Sequence, residues 1–131
     1  MSARRYRGQL LGAAVVALSL GLAACETSPP AALSTVAVEG NPGLGRQAIK
    51  SYGCGSCHTI PGVDGADALV GPPLVHFSKR SFIAGQLPNT PENLARWVQD
   101  PQGVEPGTAM PTLGVTAEEA RNIAAYLESL E

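Results

Sequence analysis

Residues 54–58 read Cys54-Gly55-Ser56-Cys57-His58. Two thiols three residues apart can reach both vinyl groups of one porphyrin and form thioethers with them. The adjacent imidazole then projects over the same face, towards the iron, and the small Gly55 and Ser56 let the backbone lie close to the ring. This spacing is the attachment signature of c-type haem, so the sequence predicts one covalently bound haem c.

The same Cys pair has two other chemical interpretations, a redox-active disulfide and half of a zinc site. A zinc site of the Cys₂His₂ type needs a second His, and the only other one, His76, has no companion ligand near it in the sequence. A thioredoxin-type disulfide is expected between a strand and a helix, whereas helix-like sequence precedes this pair and a Gly-rich loop follows it. Haem is therefore favoured over both alternatives.

The beginning of the chain has the pattern of an export signal. Three arginines lie within the first seven residues, and an apolar run follows from Leu10 to Ala24. This run is short for a membrane-spanning helix, which needs about 20 residues. Small residues directly before Cys25 resemble the lipobox of bacterial lipoproteins. Residues 1–24 are predicted to be a lipoprotein-type signal peptide and Cys25 the lipidated first residue, with an uncleaved anchor or a soluble protein cut after Ala24 as alternatives.

The remaining chain divides into a linker and one domain. Residues 25–41, rich in Pro, Ser and Ala, are predicted to be the lipid-attachment Cys and a flexible linker, and residues 42–131 are predicted to form the domain. Residues 25–131 contain six Lys and Arg against eleven Asp and Glu, which gives a net charge of about −5. This charge argues against a nucleic-acid partner, whose phosphates require a basic surface. Nothing in the sequence suggests an oligomer, so a monomer is expected.

Met110 is the candidate for the second axial ligand of the iron. Met1 is the only other methionine and leaves with the signal peptide. Met110 lies in the loop Pro106-Gly107-Thr108-Ala109-Met110-Pro111, whose prolines fix φ and reduce the entropy lost on ordering. The alternatives are that Met110 is a partly buried filler or that His76 is the ligand. His76 lacks such a frame and is expected on the surface or at the haem edge.

Three short helices are predicted. Residues 45–52 form a helix that Gly53 stops, immediately before the motif. A second helix, Glu92 to Pro101, begins after Thr90-Pro91, closes at Pro101, and carries Leu94, Trp97 and Val98 on one face. The last helix begins at a Thr116–Glu119 capping box, and its apolar positions form one stripe with Tyr126 beside it: Ala120, Ile123, Ala124, Leu127 and Leu130.

From Pro42 to Glu131 the chain resembles the class I cytochromes c. Four separated motifs carry the resemblance in the right order: Cys54 to His58, Gly71-Pro72-Pro73-Leu74, the helix Glu92 to Pro101, and Pro106 to Met110. The resemblance implies a small all-α fold of three to four short helices and loops wrapped around one haem c. It also implies that the first and last helices cross, with Gly45 and Ile49 against Ile123 and Tyr126.

The resemblance assigns further roles at the haem. The Pro72 carbonyl accepts the N–H of the proximal imidazole, and Leu74 of the same motif joins the cofactor-binding residues. Arg80 binds one haem propionate and Thr108 hydrogen-bonds the other. Trp97 supplies the aromatic ring near the methionine sulfur.

The implied function is electron transfer without enzymatic catalysis. With His58 and Met110 both bound to iron, single electrons would pass from a quinol-oxidising complex to a terminal cytochrome oxidase at the periplasmic face of the bacterial inner membrane. Residues 80–93 are similar to those of bacterial cytochromes c associated with haem-copper oxidases. The alternatives are a haem-based ligand sensor, a haem subunit of a dehydrogenase or oxidase complex, and a soluble periplasmic location.

Overall fold

The computed structural model describes residues 40–131. This part is mostly helical, and the predicted small all-α architecture is confirmed. The predictions for the signal peptide, Cys25 and nearly all of the linker lie outside the described residues. No helix of the described part is long and apolar enough to cross a membrane. The elements follow in the order α1 (Pro42–Ser51), a 3₁₀ turn (Cys54–Ser56), a second 3₁₀ turn (Phe77–Lys79), β1 (Phe82–Ile83), β2 (Leu87–Pro88), α2 (Pro91–Gln99), α3 (Pro101–Val104) and α4 (Ala117–Glu128).

Helix α1 begins three residues before its predicted start. The side-chain oxygen of Asn41 accepts the N–H of Leu44 at 3.1 Å, and Pro42 occupies the first helical position, where no N–H is needed. Gly43 and Gly45 lower the helix propensity of the first turn. The sequence therefore conceals this start, although the cap itself is a standard one.

Helices α1 and α4 cross in direct backbone contact at Gly45. A Cβ at this position would lie 1.9 Å from the carbonyl oxygen of Asn122 and 3.0 Å from the nitrogen of Ile123. The predicted close approach at Gly45 is therefore confirmed, and it is made with backbone atoms. Asn122 is buried, and its side-chain oxygen accepts the N–H of Asn41 at 2.7 Å. This bond fastens the start of the domain to the last helix.

The apolar stripe of α4 forms much of the core, as its spacing predicts. Its first four members are buried, and Leu130 at the end is half-buried. Tyr126 is also buried, and its hydroxyl donates to the Pro61 carbonyl at 2.6 Å. Helix α4 is thereby tied to the loop that follows His58.

Helix α2 begins at its predicted cap, where the Thr90 hydroxyl accepts the N–H of Asn93. Leu94 and Val98 are buried, while Trp97 is half-buried and packs against the core. The helix ends at Gln99, so the prediction that Pro101 merely closes it is incomplete.

Pro101 begins a new helix, α3, which the sequence interpretation missed. The Asp100 carboxylate accepts the N–H of Gly103 at 2.9 Å, so Asp100 caps this second start. An Asp-Pro pair can end one helix and begin the next, because the cap residue is extended and Pro has no N–H to lose. Pro101 is itself buried in the core region, which fixes the base of α3.

The short hairpin β1–β2 was also missed. Phe82 pairs with Pro88 and Ile83 with Leu87, in antiparallel register. The turn between them places Ala84 at φ 50° and Gly85 at φ 71°. Such a turn is normally indicated by an Asn-Gly or Asp-Gly pair. Here Ala stands in the first position, and because Ala rarely adopts a positive φ, the sequence does not indicate the turn.

The predicted capping box of α4 is present and extends to α1. The Glu119 carboxylate accepts the Thr116 hydroxyl at 2.6 Å and the Thr116 N–H at 3.1 Å. It also accepts the Tyr52 hydroxyl, from the end of α1, at 2.8 Å. Hydrogen bonds from the Thr116 and Tyr52 hydroxyls lower the pKa of Glu119. The bond between Tyr52 and Glu119 also raises the pKa of Tyr52.

We expect Glu119→Gln to lower the midpoint of thermal unfolding (Tm) of the haem-loaded protein at pH 7. Because the pKa of Glu119 is lower in the folded than in the unfolded chain, its carboxylate stabilises the fold above the unfolded value, about 4.3. That contribution is lost as the pH falls through the folded value. The difference in Tm between the two proteins should therefore shrink between about pH 5 and pH 3. A difference that stays constant over this range would contradict the prediction. Glu118→Gln is the control, since Glu118 shares the helix turn but is exposed.

Candidate haem site

Helix α1 delivers the motif in a tight turn. Gly53 adopts φ 69°, which ends the helix and reverses the chain. The N–H groups of Cys57 and His58 then both donate to the Cys54 carbonyl, at 3.2 and 3.1 Å. Both cysteines are free thiols and half-buried, and burial raises the pKa of Cys54. The turn thus presents two thiols and an imidazole within five residues.

The His58 ring is held by one hydrogen bond. Its Nδ1–H donates to the Pro72 carbonyl at 2.8 Å, which is the bond that the resemblance implies. A carbonyl can only accept, so Nδ1 carries the proton of this bond, and Nε2 is the nitrogen that the neutral ring offers to a metal. The ring orientation and tautomer are therefore those that an axial ligand requires.

Two glycines allow the close packing of this region. A Cβ on Gly71 would lie 2.4 Å from Cε1 of His58, so the Gly71 backbone lies flat against the imidazole, and its N–H donates to the Cys57 carbonyl at 2.7 Å. A Cβ on Gly55 would lie 2.7 Å from that of Ala66. Gly55 is therefore required for protein packing, a reason that the sequence interpretation did not give. The sequence indicates Gly71 only as the first residue of the motif Gly71-Pro72-Pro73-Leu74, without its contact with the imidazole.

The Met110 loop is held by a side chain that the sequence interpretation did not select, Gln102 on α3. Its amide bonds the backbone of the loop at Gly107, Thr108 and Met110. The Met110 N–H also approaches the Thr108 hydroxyl at 3.4 Å. The Met110 side chain is half-buried. No local pattern marks Gln102, because all its partners are backbone atoms.

Arg80 lies beside the Pro72 segment. Its guanidinium donates to the Pro73 carbonyl and stands over the Phe77 ring, 5.0 Å from the centroid. The predicted propionate contacts of Arg80 and Thr108 stay predictions. Leu74 donates its N–H to the Thr59 carbonyl at 2.8 Å, and its side chain packs against the core.

His76 is exposed and occupies the left-handed region at φ 48°, at the start of the second 3₁₀ turn. Residues 40–131 contain no group of three or more His, Cys, Asp or Glu side chains that could hold a metal ion. The zinc alternative therefore has no ligand set in the described part of the chain.

These residues fit a covalently attached haem. The thiols are unpaired, the imidazole presents Nε2, and Gly71 keeps the backbone flush against that ring. The thioether of Met110 belongs to a loop whose backbone bonds the side chain of Gln102 at three positions. A small helical domain with two attachment thiols and an oriented imidazole is the arrangement of a haem-binding electron-transfer domain.

Comparisons with known proteins agree with this assignment. The sequence model of the family described as Cytochrome c matches residues 44–131. Cytochrome c oxidase subunit 2 of Alkalihalophilus pseudofirmus is 38% identical over 88 residues, which cover 66% of this chain and 25% of the relative. The subunit 2 of Bacillus sp. is 36% identical over 106 residues, which cover 78% of this chain and 28% of the relative. The subunit 2 of Bacillus subtilis is 34% identical over 68 residues, which cover 50% of this chain and 19% of the relative.

The chain belongs to the cytochrome c family. Membership confirms the class I cytochrome c resemblance and implies a covalently bound haem c and a role in electron transfer. The chain spans about a quarter of the length of the first two relatives, the subunits of A. pseudofirmus and Bacillus sp..

Proposed function

We propose that this domain carries single electrons through one haem c that is attached by Cys54 and Cys57 and ligated by His58 and Met110. The observation that carries the proposal is the hydrogen bond from His58 Nδ1 to the Pro72 carbonyl at 2.8 Å. This bond fixes the ring in the tautomer of a metal ligand before any metal is considered.

A haem c bound by these residues supplies an iron that takes up and releases one electron. His58 would offer Nε2 to the iron, and the soft thioether of Met110 would favour the ferrous state. A Met/His ligand pair raises the reduction potential, as does burial of the ring. With both residues as ligands the iron would have no open coordination position, so the domain would favour outer-sphere electron transfer over ligand chemistry.

The electron would leave at the thioether-bearing edge near Cys57. Pro61 and Gly62, which follow the motif, are exposed, and Gly55 is half-buried. These residues carry little side-chain bulk, so a partner surface could approach closely there.

We propose a terminal cytochrome oxidase as the electron acceptor and a quinol-oxidising complex as the donor. The names of the relatives support the oxidase, since all three are cytochrome c oxidase subunit 2. The same observation favours a second candidate, in which the domain is a fixed haem subunit of an oxidase complex. Solubilisation in mild detergent distinguishes the two. A fixed subunit co-purifies with the oxidase in constant ratio at high salt, and a mobile carrier separates from it.

The proposed location is the periplasmic face of the inner membrane, with the domain tethered through lipid on Cys25. We expect Cys25→Ser to move the haem-loaded protein from the membrane fraction to the soluble fraction. One acyl chain binds a membrane only marginally and two or more anchor a protein stably. Immunoblots of the two fractions measure the change. If the variant stays with the membrane, the lipid tether is not what holds it there.

The absorption spectrum of protein matured with haem-attachment machinery tests the ligand assignment. The ferric protein should show a low-spin spectrum with the weak far-red band of a Met–Fe(III) bond, and the ferrous protein should not bind carbon monoxide readily at neutral pH. A high-spin spectrum with ready carbon monoxide binding would favour the ligand-sensor alternative. Colourless protein would exclude haem and favour the Cys54–Cys57 disulfide.

A further inference from the structure

The side-chain amide of Gln102 makes three hydrogen bonds to one loop. Its Nε2 donates to the Thr108 carbonyl at 2.8 Å and to the Met110 carbonyl at 3.0 Å. Its Oε1 accepts the N–H of Gly107 at 3.2 Å. The Gln102 amide therefore donates to two loop carbonyls and accepts from one loop N–H. These partners determine which atom of the amide is nitrogen and which is oxygen.

The backbone that carries Gln102 is itself fixed. Pro101, the residue before it, is fully buried. The Asp100 carboxylate caps the same turn through the Gly103 N–H at 2.9 Å, and the Glu105 N–H donates to the Pro101 carbonyl at 2.9 Å. The Gln102 side chain thus connects the fixed backbone of α3 to the backbone of the loop.

Few other hydrogen bonds restrain the loop between Pro106 and Pro111. Thr108 donates its N–H to the Glu105 carbonyl at 3.1 Å, and the Met110 N–H reaches the Thr108 hydroxyl at 3.4 Å. Gly107 adopts φ 87°. Gln102 supplies the only side-chain bond to the Met110 carbonyl within residues 40–131. Removal of the amide would free the backbone that carries the sulfur.

We infer that Gln102 is the positioning residue for Met110, which holds the thioether at the iron against competing ligands. The inference rests on the proposed ligation by Met110. Gln102 is exposed, so its truncation removes no core packing and opens no cavity. Its loss should therefore change the equilibrium between bound and displaced Met110 more than the stability of the fold.

Displacement by added imidazole tests the inference on the haem-loaded ferric protein. We expect Gln102→Ala to bind imidazole about tenfold more tightly, the factor that corresponds to the loss of one to two net hydrogen bonds. Gln102→Glu should have at least as large an effect. Its carboxylate still accepts the Gly107 N–H, but it places oxygen acceptors against the Thr108 and Met110 carbonyls. The far-red band should weaken in both variants.

Gln86→Ala is the matched control, because Gln86 is an exposed glutamine in the hairpin turn, far in sequence from the loop. Its imidazole affinity should equal that of the wild type. Equal affinities in the wild type, Gln102→Ala and Gln102→Glu, with the far-red band intact in all, would overturn the positioning role alone. Absence of the band from the wild type would instead overturn the ligation by Met110.

Discussion

Met110→Ala is expected to abolish the far-red band of the ferric protein and to open the iron to external ligands. Met1 is the only other methionine of the chain, and it belongs to the predicted signal peptide. No other methionine can therefore replace the lost ligand. The haem stays attached, since Cys54, Cys57 and His58 are unchanged.

The effect should be large in three measurements. Imidazole should bind the ferric variant more tightly than the wild type by well over about tenfold, because it no longer has to displace an internal ligand. Carbon monoxide should bind the ferrous variant readily. The reduction potential should fall, because the thioether that favours ferrous iron is gone.

His76→Ala is the control for this experiment. His76 is the other side chain that the sequence offered as an axial ligand, and it is exposed. The variant should keep the far-red band and the imidazole affinity of the wild type. Absence of the band from the wild type, together with imidazole binding that tightens in His76→Ala and not in Met110→Ala, would transfer the ligand role to His76.

Gly45→Ala is expected to destabilise the haem-loaded protein by about 3 kcal/mol or more, which lies at the upper end of overpacking effects. The new Cβ would lie 1.9 Å from the carbonyl oxygen and 2.5 Å from the carbonyl carbon of Asn122. Both are backbone atoms of α4, so the clash cannot be relieved by a rotamer change. The helices must separate, which also strains the bond between Asn41 and Asn122.

The measurement is the thermal unfolding midpoint of the holoprotein, which should fall by more than about 10 °C for a domain of this size. Gly43→Ala tests whether any added methyl on α1 has this effect. A Cβ on Gly43 would meet only the side-chain oxygen of Asn41, at 3.1 Å, and alanine raises helix propensity. Its stability should be close to that of the wild type. Similar losses in both variants would show that the crossing at Gly45 is not the cause.

Local signals in the sequence are enough to place the N-terminal starts of two helices. The Thr116 capping box and the Thr90-Pro91 start both appear in the structure where the residue types indicate them. The start at Asn41-Pro42 was missed because glycines follow it. The sequence does not reveal helix α3, because a Pro at position 101 also fits the end of α2, and it does not reveal the hairpin, because Ala84 stands where a turn of that kind favours Asn or Gly.

The sequence indicates the haem-binding residues more clearly than the hydrogen bonds that hold them in place. Two cysteines and a histidine at fixed spacing indicate haem through their residue types alone. The bond from His58 to Pro72 was accessible only through the resemblance, since its partner is a backbone carbonyl 14 residues away. Gln102 had no signal, because a glutamine that bonds backbone atoms looks like any surface glutamine.

The hydrogen bond from the Asn41 N–H to the side chain of Asn122 would share any force that the proposed tether transmits to the domain. Tension at residue 41 would pass along the covalent chain into α1 and through this bond, 2.7 Å long, into the middle of α4. It is resisted there by the interlocked helix pair. Because the crossing at Gly45 comes before the cysteine turn in the chain, load from the proposed membrane attachment would meet the packed helix pair before it reached Cys54.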